Sequence, residues 1–171
     1  MAELTPKERL QPSLLDRLRD EEPDKMQESR DKRVLSLQKL RASVVRDLSW
    51  LFNCTHLESL QDLQDHPLVA HSVLNYGLPD LAGKPIISAD VAEIERRLRQ
   101  AIWDYEPRIL RHSVKVCVQV AREEMSGLAL RFDIEGELWA QPMPLKLYLK
   151  TEVDLESGHV SIDDRSAAGG A

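Results

Sequence analysis

The residues best placed to do chemistry lie in the stretch AIWDYEPRIL, Ala101 to Leu110, where Glu106 and Arg108 flank Pro107. A glutamate can serve as a general acid if burial or a neighbouring like charge keeps its proton on near neutral pH. Glycoside cleavage by the usual route needs a second carboxyl group facing the first, ~5 Å away for retention and ~6.5–9.5 Å for inversion. Asp104 is the nearest acid in sequence, but positions two apart on a helix do not face each other. Arg108 works against a protonated acid. If the two side chains meet, the cation keeps Glu106 ionised, and such a pair suits gripping backbone and polar groups. Three roles stay open for the pair: a catalytic acid, an internal helix–sheet clamp, and a joint for a partner.

Other reactive constellations are sparse. The seven glycines are scattered and form no phosphate loop. There is no Gly-x-Ser-x-Gly elbow, and no histidine stands out as partner to a nucleophile. His66 and His71 are split around a helix by their spacing, so surface or packing roles are expected for both. Cys54 and Cys117 lack the spacing of a zinc or redox pair and are expected to be buried thiols. No metal or cofactor is expected.

The elements that must position Glu106 can be read from periodicity. Residues 1–33 are rich in charge and poor in large apolar side chains, the composition of a flexible arm. Within it, Ser13 could cap a short helix with Leu14, Leu15 and Leu18 on one side. Val34, Leu37, Leu40, Val44, Leu48 and Leu51 recur at intervals of three and four and predict a helix from about Val34 to Phe52. Pro67 suits the first turn of another helix, with Leu68, Val69, Val73 and Leu74 as its apolar side. Gly77 can take the left-handed cap, and Pro79 prevents continuation. In SADVAEIERRLRQAIWDYEP, Asp90 and Glu93 have the spacing of a capping box. Val91, Ile94, Leu98, Ile102 and Tyr105 mark the buried stripe, and Pro107 should end the helix near Tyr105.

The period then changes to two. Val114 to Val120, Leu128 to Leu138 and Leu145 to Val153 alternate apolar with polar side chains, and ESGHVSI allows a last short strand. Short linkers suggest an antiparallel meander. The predicted fold is α+β, with N-terminal helices packed on one face of a small, mainly antiparallel C-terminal sheet. One domain is expected over residues 34–162, with a disordered tail over 163–171.

The net charge is −6, whereas a general nucleic-acid binder is more often basic. No apolar run approaches the ~20 residues of a membrane helix, and the N-terminus has no signal-peptide core. A cytoplasmic location is expected.

Four motifs occur in order: RLQPSLLDRLRDEEP, SVVRDLSWLFN, SVLNYGLPDLAG and IWDYEPRIL, with a short sheet after the last. Together, over residues 9 to 155, they resemble TssE, the small baseplate wedge family of the bacterial type VI secretion system. That family is related to a wedge protein of contractile phage tails and was historically labelled lysozyme-like. Trp103 and Asp104 depart from the family, where basic residues are common. The resemblance implies a structural role, with Glu106, Pro107 and Arg108 as the motif that binds the helical core bundle of the larger wedge proteins TssF and TssG. It further implies that the sheet offers a strand to the contractile sheath subunits TssB and TssC, with TssK as another candidate partner. The competing readings are a peptidoglycan muramidase with Glu106 as general acid, and a soluble adaptor for some other helical partner.

Overall fold

Apolar side chains every three or four residues dictate two long helices, and apolar side chains at every second residue dictate the sheet they cover. The structure, a computed structural model, describes residues 13–18, 24, 36–80, 88–123, 127–140, 144–154 and 157–165. The helices come first: α1 (Leu14–Leu18), α2 (Leu37–Phe52), α3 (Pro67–Ala70) and α4 (Ser88–Tyr105). Four strands follow: β1 (Lys115–Glu123), β2 (Gly127–Leu138), β3 (Leu145–Val153) and β4 (Val160–Asp164). They form one antiparallel sheet in sequential order, the expected α+β meander.

Ser36 caps α2, its hydroxyl accepting a hydrogen bond from the Lys39 amide at 3.1 Å. The helix therefore starts at Leu37; Val34 lies outside the described residues. Leu40, Val44, Leu48 and Leu51 point into the core as their spacing requires. Phe52 meets Phe132 of β2 edge to face, the ring centroids 5.7 Å apart. On α4 the buried stripe is Leu98, Ala101 and Ile102.

The expected start of α4 needs correction. The helix begins at Ser88, so Asp90 lies inside it and does not cap it. Glu93 turns to Arg96 and Arg97, 2.7 Å from each. Two cations one turn ahead outcompete a backward reach to the backbone, and they push the Glu93 carboxyl down to about 2. A second correction concerns the segment after Pro67. Leu68, Val73 and Leu74 are largely exposed. The helix lasts only four residues, and a 3-10 turn at Val73–Asn75 brings Asn75 and Leu78 inward in their place. Gly77 has the positive φ of 131° that its position required, and a Cβ there would lie 2.3 Å from the Cys54 carbonyl oxygen.

Along β3, Leu147, Leu149, Thr151 and Val153 are buried, while Lys146, Tyr148, Lys150 and Glu152 face solvent. Strand β4 pairs Asp163 and Asp164 with Lys150 and Leu149, so strand geometry reaches two residues into the stretch read as tail. Both cysteines are exposed, against expectation. Cys117 falls in the outward phase of β1 between Val116 and Val118, and Cys54 follows the C-cap of α2.

Candidate functional site

Pro107 follows the last turn of α4 and turns the chain onto the sheet. The Glu106 amide still donates to the Ile102 carbonyl at 2.9 Å, and the Ile109 amide donates back to the Glu106 carbonyl at 3.2 Å. Two backbone bonds then pin the corner to the end of β2. The Trp139 amide donates to the Arg108 carbonyl at 2.7 Å, and the Leu110 amide donates to the Glu137 carbonyl at 2.8 Å. Gly136 leaves room for this approach, since a Cβ there would sit 3.0 Å from the Ile109 side chain.

The side chains close on themselves. Glu106 is 3% exposed. Its Oε1 accepts from Arg108 Nε at 2.7 Å and from the Arg108 amide at 3.2 Å, and its Oε2 accepts from Nη2 at 2.5 Å. Helix α2 supplies the remaining acceptors. Asp47 Oδ2 accepts from Nη2 at 2.5 Å, and Ser43 Oγ accepts from Nη1 at 3.1 Å. Ser43 and Asp47 stand four residues apart, so one helical face presents both. Burial pulls the Arg108 pKa down, but hydrogen bonds and charge from Glu106 and Asp47 outweigh it and hold that pKa above the ordinary value.

Charges continue outward from Asp47. Its Oδ1 accepts from Arg46 Nε at 2.8 Å, and Arg46 reaches Asp16 of α1 at 2.5 Å. The same guanidinium lies 4.9 Å from the centre of the Trp50 ring. Beside the corner is a pocket of about 430 Å³ whose walls include Leu15, Trp50, Tyr76, Tyr105, Pro107 and Arg108. Tyr76 and Tyr105 pack edge to face at 5.2 Å, and burial pushes both phenols up. A hollow of about 490 Å³ beside Cys54 and Gly158 shares Trp50 but none of the corner's three residues.

The structure thus gathers Glu106, Pro107 and Arg108 into one corner. It places Asp104 elsewhere, with Gln100 at 2.9 Å and the exposed His71 at 3.1 Å. The second carboxylate near Glu106 is Asp47, which sequence distance hid. Ser43 offered a signal, as a polar residue flanking the apolar face of α2. Asp47 did not, because an acid beside Arg46 on a helix reads as an ordinary surface charge.

Fold and site together define a small α+β module built around an ion-paired, proline-set corner. The chain belongs to the family of baseplate wedge protein gp25, which matches residues 38–143 and so covers α2 from its second residue, α3, α4, the corner and strands β1 and β2. The family is a structural part of a baseplate, in association with other baseplate proteins. Among curated proteins, none matches the chain significantly. No helix among the described residues is long and apolar enough to cross a membrane.

Proposed function

We propose that the chain is a non-enzymatic component of a type VI secretion baseplate wedge, of the TssE kind, working in the cytoplasm at the inner face of the cell envelope. Its corner of Glu106, Pro107 and Arg108 binds the helical core bundle of TssF and TssG. The observation that carries this reading is the inward closure of the corner: both Glu106 oxygens accept from Arg108. A general acid needs a proton aimed at its substrate. Here the two nearest carboxylates, Glu106 and Asp47, both border the pocket beside the corner, but both are bound to one guanidinium, so neither is aimed at the open space as a free acid. Glu106 therefore acts as a brace. It fixes Arg108 and the exposed Pro107, and the partner meets Pro107, the outer part of Arg108 and the apolar rim of Trp50 and Leu15. A preset surface loses little side-chain entropy on binding.

The sheet supplies the second connection, to the sheath subunits TssB and TssC. Its two edges differ. On β1 the outward Val118 amide donates to the Glu95 carboxylate at 2.9 Å, so a charged side chain blocks that edge. On β4, Asn53 bonds the amide and the carbonyl of Val160 at 2.9 Å each. The Arg165 amide pairs inward with Tyr148, so by alternation the backbone groups of Ile162 and Asp164 face outward. Edge β4 is the one we assign to strand addition. The joint is tested by co-purification. TssF and TssG should be retained by the wild type and largely lost by a folded Glu106→Ala variant. Full retention by that variant, or peptidoglycan cleavage that vanishes in Glu106→Gln, would overturn the reading.

A further inference from the structure

One chain of alternating charges runs from α1 to the corner: Asp16, Arg46, Asp47, Arg108 and Glu106. Every inner member is shared. Asp47 gives Oδ1 to Arg46 and Oδ2 to Arg108, so it cannot rotate toward one cation without leaving the other. Arg46 is divided between Asp47 and Asp16. Asp16 lies outside the family-matched residues 38–143, whereas the other four lie inside them.

Helix α1 is held to the body through its polar side. Ser13 Oγ donates to Asp16 Oδ2 at 2.7 Å, which leaves Oδ1 for Arg46. Its leucines face away: Leu14, Leu15 and Leu18 are 70%, 51% and 75% exposed. Leu15 nevertheless borders the same pocket as Pro107. Helix α1 thus stands at the corner on a hook of charge, with its three leucines largely in solvent.

Competition for Asp47 follows from this sharing. With Asp16 in place, Arg46 is drawn toward α1, and Asp47 keeps one oxygen on Arg108. Without Asp16, Arg46 is free to take Asp47 as a two-bond fork, the strong geometry for a guanidinium and a carboxylate. Arg108 then loses an acceptor. We propose that Asp47 is a positioning residue for Arg108 and that α1, through Asp16 and the relay Arg46, regulates the orientation of Arg108 at the corner. The regulatory part rests on the corner being the partner joint.

The test reads Arg108 directly in the full-length protein. The solvent exchange rate of its Nη2–H protons, the donors to Asp47, is followed by proton–nitrogen NMR, with the resonance assigned by its loss in Arg108→Lys. Asp16→Asn should speed exchange by about threefold or more, as expected when one modest hydrogen bond is weakened. Arg46→Gln should leave the rate near wild type, and the double variant should match Arg46→Gln, because the competitor is gone. If α1 merely covered the corner, both single variants would release it and speed exchange alike; that result, or no change in Asp16→Asn, overturns the relay. Affinity for the co-produced TssF–TssG assembly is then measured with Pro107→Glu as reference. Weaker binding by both Asp16→Asn and Pro107→Glu supports regulation. If Pro107→Glu binds weakly while Asp16→Asn binds like wild type, regulation is wrong and the joint stands. If neither weakens binding, the joint itself is wrong and regulation falls with it.

Discussion

Glu106 and Arg108 are one charge pair, yet they are not equivalent. Glu106 is almost wholly enclosed, while Arg108 keeps part of its side chain in solvent and has Asp47 and Ser43 as further acceptors. Breaking a buried pair by removing one member costs ~3–5 kcal/mol when a charge is left without compensation. Arg108→Ala does that to Glu106. Glu106→Ala leaves a guanidinium that still has two partners. Chemical unfolding should therefore show Arg108→Ala to be the less stable variant by ~1–3 kcal/mol; equal stabilities would contradict the brace. Asp16 carries the pH dependence of α1. Its hydrogen bond from Arg46 lowers its pKa below 3.8. A depressed carboxylate contributes stability that is complete above the unfolded value and is lost as pH falls through the folded one. Trp50 emission, sensitive to the Arg46 stacked on its ring, should therefore change below about pH 4. Asp16→Asn should abolish that change and show the acid-state emission already at neutral pH. An identical acid transition in the variant would assign it to other groups.

The elements were legible where burial follows a period. The stripes of α2 and α4 and the alternation of β3 came directly from spacing, because each element has one wet and one covered side. Three features did not. The exposure of Leu68, Val73 and Leu74 depends on a helix too short to have a stable face. The start of α4 lies two residues before Asp90, and Glu93 pairs with Arg96 and Arg97. The clamp on Arg108 joins positions more than sixty residues apart, which no local pattern reports. The loop that carries Tyr76 to the corner depends on Gly77, where φ is positive and the Cys54 carbonyl leaves no room for a side chain. Gly77→Ala should cost ~2 kcal/mol or more and lower the melting temperature by roughly 5 °C. Thermal unfolding by circular dichroism checks this, and an unchanged melting temperature would mean that the loop relaxes freely.

At the scale of the whole molecule, the corner and the β4 edge sit on different elements, so the two connections should fail separately. Asp164→Pro removes an outward amide from β4 without taking an apolar side chain from the core. Asp164→Asn controls for the lost charge toward Arg41. Cells carrying Asp164→Pro should assemble wedges but few fluorescent sheaths, whereas Asp164→Asn should support both; normal sheath counts with the proline would exclude β4 as the template. The central claim, that a preset corner joins this protein to its wedge, is tested most directly by titrating the purified TssF–TssG assembly with wild type, Pro107→Glu and Arg108→Lys, with melting curves beside each. Arg108→Lys keeps the charge and loses the fork; Pro107→Glu replaces an exposed ring and frees the backbone angle it fixes, so its melting curve must match wild type. The expected result is a loss of affinity of about 30-fold or more in both, equivalent to ~2 kcal/mol, in variants that remain folded. Wild-type affinity in both folded variants would contradict the claim.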